Sequence, residues 1–362
     1  MIPAVMHWNS KRLKIHLNSL LVRAIEFSRC TAKVIYRECL IRVSSLMMEF
    51  ETTAVIGLGT MGHGIVQTVA LAGGQVRAFD TNVKDVENLH SRIARNLKVM
   101  VEAEAIPEVD LQEVLGRITC CHDEQDALTG VDFVVEAIAE DLKLKQAFFS
   151  RCAATVSSET ILASNTSSFP MSKIAEGLEA SSRMLNTHWF NPPHVIPVVE
   201  VIPGAQTSPD TISRTIRFLK ELGKHPVRIN QEVPGFVLNR LQIALFREML
   251  DLVGRDVISA EDLDIAVRGS LGLRWAAVGP MRVGDFGGWD ILSKVYEVLA
   301  TEIRSDTRIP EVLDQMRSQG ELGLKTGQGF FEFPAEQQEG VVADKDRKFM
   351  AWAKLLRDSY DP

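Results

Sequence analysis

From Thr52 onward, short apolar runs alternate with stretches whose apolar residues recur at helical spacing. TTAVIGLG is an apolar run closed by glycine, and MGHGIVQTVALAGG behind it has a helical period and a glycine stop. QVRAFD reads as a second strand. A long helix is predicted over about residues 83–105, with Pro107 ending it because proline cannot continue the hydrogen-bond ladder. RITCCHD, VDFVVEAIAE, TILASNTS, RMLNTHWFNPP and VVEVIPG supply further strands, with helices at about 142–154 and 209–222 among them. Such alternation needs crossover connections, so it predicts an α/β fold with a mostly parallel sheet covered by helices on both faces.

After PVRINQEVPGF the period becomes largely helical over about 237–301, broken at GSLGLRWAAVGP and DFGGWD. GLKTGQGFFEF reads as a glycine-rich loop with a short extended end. DKDRKFMAWAKLLRDS is an amphipathic helix whose Phe349 and Trp352 face either a second subunit or the core of their own chain. The boundary falls near residue 230. It divides the chain into an extension (1–49), an α/β domain (50–230), an all-helical C-terminal domain (231–335) and a tail helix (336–362).

Composition narrows the partners. With 46% hydrophobic and 24% charged residues, the chain has the make-up of a soluble globular protein. A net charge of -7 argues against nucleic acid, and no apolar run is long enough for a membrane span. The five cysteines (Cys30, Cys39, Cys120, Cys121, Cys152) are scattered without a CxxC pair, which fits a reducing compartment and small buried side chains. Up to Met48 there are eight Lys or Arg against Glu26 and Glu38. That segment reads as a mis-set start ahead of Met47 or Met48, or else as a targeting segment. A cytoplasmic location is expected in the first case, a mitochondrial one in the second.

Gly57, Gly59 and Gly62 form GxGxxG between a predicted strand and a predicted helix, with Thr60 and Met61 inside the loop. The glycines allow a tight turn, close approach of a pyrophosphate, and close packing of helix on strand. Asp80 ends the next strand, 21 residues after Gly59, where a carboxylate accepts the ribose hydroxyls and repels a 2′-phosphate. The expected cofactor is NAD in a Rossmann-type domain. The alternative for Asp80 is a cap on the following helix.

The densest chemistry lies in THWFNPPHVIPVVEVIPG. His188 and Glu200 flank a proline turn that can send the chain from one strand back along the next. A carboxylate behind the imidazole fixes its tautomer and makes it a base for a carbinol proton. His194 is a competing base, read as a loop residue. No spacing for zinc is present.

VIGLGTMGHGI, VVEAIAEDLKLKQ, SNTSS, HWFNPP, VVEV, KHPVRINQEVPGFVLNR and GLKTGQGFF together resemble the 3-hydroxyacyl-CoA dehydrogenase family, in that family's order, over about residues 52–333. The resemblance implies a Rossmann-type NAD-binding domain followed by an all-helical domain that carries a homodimer contact. It places His188 and Glu200 as the catalytic pair, Ser167 on the substrate oxygen and Asn239 beside the reacting carbonyl. It places Glu140, Lys145, Asn165, Asn191 and Lys325 around the cofactor.

The implied reaction is NAD-dependent oxidation of a (3S)-3-hydroxyacyl-CoA to the 3-oxoacyl-CoA, a step of fatty-acid β-oxidation. Members acting on CoA use a serine and a lysine on the long helix after the ribose-binding acid; an ungapped count puts Asn96 and Ala103 there, with Arg92, Arg95 and Lys98 nearby. GSLGLRWAAVGP is similar to the lambda-crystallin and L-gulonate 3-dehydrogenase branch, and HWFNPPH to a branch acting on pyridine carboxylates. A free hydroxy acid held by Arg274 or Arg282 is therefore the alternative substrate, and a non-catalytic crystallin-like protein the third reading.

Overall fold

Eight strands form one sheet in the computed structural model, which describes residues 48–357. The expectations for the basic leader, for Cys30 and Cys39, and for the last five residues of the tail lie outside that span. Six strands run parallel: β1 (Thr52–Ile56), β2 (Gln75–Phe79), β3 (Ile118–Cys120), β4 (Phe133–Glu136), β5 (Ile161–Ser164) and β6 (Met184–Trp189). β7 (Val198–Pro203) returns antiparallel to β6, and β8 (His225–Arg228) pairs parallel with β7. The order β3-β2-β1-β4-β5-β6-β7-β8 reverses between β1 and β4. Open α/β sheets bind ligands at such a switch point, outside the carboxyl ends of the strands.

The connecting helices are α1 (Gly62–Leu71), α2 (Val83–Glu87), α3 (Leu89–Glu102), α4 (Leu111–Gly116), α5 (Glu124–Leu128), α6 (Leu142–Thr155), α7 (Met171–Ile174) and α8 (Pro209–Glu221). Every residue of β4, β5 and β6 is buried, as expected of strands covered on both faces. Phe50, Phe133 and Phe218 pack with ring centroids 4.9–5.1 Å apart. Each such pair is worth roughly 0.5–1.5 kcal/mol beyond the area it buries.

Three details differ from the reading of the sequence. The expected long helix is two, because the Asn88 side chain donates to Lys84 O at 2.8 Å and closes α2 from outside the helical ladder. The second of them stops at Glu102, ahead of Pro107, where the chain turns through Glu104 at φ 53°. β8 is an unexpected strand, short and half-exposed at the sheet edge with Pro226 inside it, where a proline is tolerated. Cys121 and Cys152 are buried free thiols, and burial pushes them up to about 11 and about 12.

Beyond the sheet come α9 (Leu238–Gly254), α10 (Ala260–Val267), α11 (Leu273–Val278), α12 (Pro280–Gly287), α13 (Trp289–Leu299), α14 (Glu311–Gln319) and α15 (Gln338–Arg357). α15 lies on the sheet domain: Met350 is buried with Met100, Ala105 and Val195, and Lys354 Nζ is 3.0 Å from a Glu104 carboxylate oxygen. Phe349 and Trp352 are exposed, and neither belongs to the buried core of the described residues. No helix of the described residues is long and apolar enough to cross a membrane.

Candidate active site

Gly57, at φ +94°, closes β1; a Cβ there would lie 2.5 Å from Ala137 O. A Cβ on Gly62 would lie 1.7 Å from Gly57 O, so only glycine lets α1 start this close to the strand. Gly59 faces open space, the gap a dinucleotide backbone requires. Met61 offers α1 no side-chain cap and the first turn carries no acid, so its positive end and free N–H groups stay available to an anion. Asp80 accepts from Leu58 N at 2.6 Å and from Asn82 N at 2.7 Å. The side-chain cap on α2 comes from Asn82, which accepts from Lys84 N, and not from Asp80. This loop fits an NAD-type dinucleotide.

His188 and Glu200 are direct cross-strand partners on β6 and β7. Side chains of such a pair stand side by side on one face, and His188 Nδ1 lies 2.7 Å from Glu200 Oε2, both groups buried. The other carboxylate oxygen accepts from Val237 N at 3.2 Å and Leu238 N at 3.0 Å, at the start of α9. A carboxylate at a helix N-terminus is favoured by the helix dipole, which holds Glu200 in place. The rings of Phe190 and Phe236 flank the imidazole at 4.5 and 5.4 Å.

Asn239, one residue into α9, donates to Ser167 O at 3.4 Å, which brings the Ser167 turn and α9 together. Glu140 Oε1 accepts from Ser167 N at 3.0 Å and from Thr166 Oγ1 at 2.6 Å. Lys145 is almost fully buried, with its ammonium 2.7 Å from Glu136 and 3.2 Å from Glu140. Glu136, a residue the sequence reading passed over, also accepts from Ser164 Oγ at 2.6 Å and Ile138 N at 2.9 Å. Burial pushes its carboxyl up while Lys145 pulls it back. Its signal was available: an acid closing an otherwise apolar strand needs a partner. Asn165 uses its side-chain oxygen on Trp189 N at 2.9 Å, tying β5 to the strand of His188.

Other expected residues stand outside this network. Asn191 is exposed in the β6–β7 loop, after which the Asn191–Pro192 peptide is cis, and Lys325 is exposed in the turn before Gly327. Arg274 donates to Ser270 of its own helical stretch, through Nε to O and Nη2 to Oγ. His194 lies in the loop, as read, against the face of Gly64. Asn96 donates to Gln67 Oε1 at 3.0 Å, and Ala103 is packed with the Met350 cluster under α15. Among the described residues no group of three His, Cys, Asp or Glu could hold a metal.

Family models described as the NAD binding domain and the C-terminal domain of 3-hydroxyacyl-CoA dehydrogenase match residues 52–233 and 235–333. The 5-formyl-3-hydroxy-2-methylpyridine 4-carboxylate 5-dehydrogenase of Mesorhizobium japonicum is 34% identical, over 84% of this chain and 97% of its own. A probable 3-hydroxybutyryl-CoA dehydrogenase of Bacillus subtilis is 33% identical, over 79% of this chain and 98% of its own. A solved structure of 5-formyl-3-hydroxy-2-methylpyridine 4-carboxylic acid 5-dehydrogenase, an NAD+-dependent dismutase, matches with a TM-score of 0.79 at 33% identity, covering 86% of this chain and 99% of the other.

Proposed function

Because this chain belongs to the 3-hydroxyacyl-CoA dehydrogenase family and is an NAD-dependent dehydrogenase of hydroxyl donors, we propose that it oxidises the alcohol of a small free carboxylic acid, with His188 as the base. The observation that carries the reaction is the His188–Glu200 pair, buried, 2.7 Å apart and held by the start of α9. NAD supplies the hydride acceptor when bound in the glycine-loop crevice.

With Nδ1–H directed at Glu200, Nε2 of His188 is free to take the hydroxyl proton as the carbinol hydride departs. The imidazolium that results is stabilised by Glu200, and the carbonyl product keeps both electrons of the broken O–H bond. Ser167 and Asn239 are the polar groups for the substrate oxygen, positioned by Glu140 and by α9. Lys145, paired with both Glu136 and Glu140, forms with Glu140 the charged wall of the cofactor side. Phe190 and Phe236 keep water from the imidazole.

Two observations favour a free acid over a CoA thioester. Asn96 and Ala103, at the counted positions of the CoA-holding serine and lysine, are committed to Gln67 and to the packing under α15. The Mesorhizobium pyridine-carboxylate relative also spans 84% of the chain. The thioester remains the second reading, favoured by the Bacillus relative and its 98% coverage. NADH formation decides between them: a pyridine carboxylate bearing a hydroxymethyl group, gulonate and free 3-hydroxybutyrate are set against 3-hydroxybutyryl-CoA. Turnover of at least one free acid with none of the thioester is expected; the opposite pattern defeats the free-acid reading.

The working unit is proposed to be a homodimer joined through α9–α14. In support, none of residues 237–349 is buried within one chain, and Ile243, Phe286 and Tyr296 are mostly exposed.

A further inference from the structure

Behind the glycine loop lies a group of side chains that the proton and hydride transfers do not use. Arg92, on α3, reaches the loop from the side of its carbonyls: Nη1 donates to Leu58 O at 2.9 Å and Nη2 to Gly59 O at 3.1 Å. Nη1 also meets Asp85 at 3.2 Å, and Asp85 is held in turn by Asn82 Nδ2 at 2.7 Å. His63, in the first turn of α1, sets Nδ1 2.8 Å from Gly59 O and 2.8 Å from Arg92 Nη2. Protonated at Nδ1 the ring donates to the carbonyl; protonated at Nε2 it accepts from the arginine. Burial, chiefly, holds His63 below its ordinary range.

Leu58 is therefore gripped at its N–H by Asp80 and at its C=O by Arg92, and Gly59 at its C=O by Arg92. In a planar trans peptide the C=O of one residue and the N–H of the next point in opposite directions. Two carbonyls turned toward Arg92 thus turn the amides of Gly59 and Thr60 away from it, and a Cβ on Gly59 would meet nothing within 4 Å. We propose that Arg92, assisted by His63, is a positioning residue for pyrophosphate recognition: it presets the amides of Gly59 and Thr60 as donors before the dinucleotide arrives.

The duller alternative is a plain Arg92–Asp85 ion pair. That pair is part-exposed and of a kind worth little by itself, and it leaves the two carbonyl bonds unexplained. Asp85 also offsets much of the arginine's charge, so geometry, not long-range attraction to phosphate, is the main effect. A lysine has one compact ammonium and cannot reproduce a fork that spans two carbonyls and a carboxylate.

The inference rests on NAD occupying this crevice, and binding of ADP-ribose to the unaltered protein reads that separately. Calorimetric titration compares ADP-ribose, which has the pyrophosphate, with adenosine, which lacks it, on the unaltered chain, Arg92→Met, Arg92→Lys and His63→Ala. Arg92→Met is expected to weaken ADP-ribose roughly 10- to 100-fold, the scale of one or two charge-assisted bonds, and to change adenosine less than about two-fold. Arg92→Lys should be nearly as weak as Arg92→Met, and His63→Ala should weaken ADP-ribose in the same direction by less. Full ADP-ribose affinity in Arg92→Met overturns the proposal, as does full recovery by lysine, or equal losses for both ligands. If the Arg92 variants do not fold, unaltered ADP-ribose binding in His63→Ala overturns it instead.

Discussion

β4, β5 and β6 bury every side chain they carry, whereas α9 through α14 bury none. The first region completes its core within one chain; the second exposes Ile243, Ile265, Phe286 and Val298 by more than half of their surface. The proposed chemistry sits on the first side of that difference. Precise distances such as 2.7 Å from His188 to Glu200 are kept in the part that packs alone. The helical region contributes only its first turn, Val237 to Asn239, to that geometry.

The sharpest test of the contrast lies in the sheet. His188→Gln keeps the strand pairing and removes the base, so turnover should fall about 10²- to 10⁴-fold with NAD affinity unchanged, read by steady-state rates against a fluorescence titration of NADH. Retained turnover would take His188 out of the mechanism.

The helical region should answer to a different assay. Phe286→Asp is expected to weaken self-association by roughly 10- to 100-fold, the cost of leaving one large apolar side chain unburied, and sedimentation velocity would show lighter particles at low concentration. An unchanged mass at every concentration would leave α9–α14 without a subunit partner.

The smallest effect is on pH, again in the sheet region. Burial, with His63, Lys224 and Lys345 adding repulsion, lowers His194 to about 4. The fold therefore favours the neutral ring. Its contribution is complete above pH 6.5 and is lost as pH falls toward 4, by roughly 1–3 kcal/mol. Thermal melts between pH 7 and 4 should decline less steeply in His194→Asn; parallel curves would contradict the assignment.

Much of this arrangement is legible from residue order, because period and motif act locally. The glycine loop needs only a strand before it and a helix after it, and His188 and Glu200 need only a turn between two strands. Glu136 escaped because its meaning depends on Lys145 and Ser164, which a one-dimensional pattern does not bring together. β8 escaped because a four-residue edge strand containing Pro226 has neither alternation nor length. The break at Asn88 turns on one side-chain bond, below the resolution of a hydrophobic period. Phe349 and Trp352 are prominent by size, yet the tail helix docks through Met350, which the pattern ranked no higher than its neighbours.

One carboxylate belongs to two structures at once. Glu200 meets the imidazole of His188 with one oxygen and accepts from the first amides of α9 with the other, so the position of the helix start and the orientation of the ring depend on the same side chain. On the proposed reading, a substitution that shifts the first turn of α9 would be felt at the imidazole as well, through the one side chain they share.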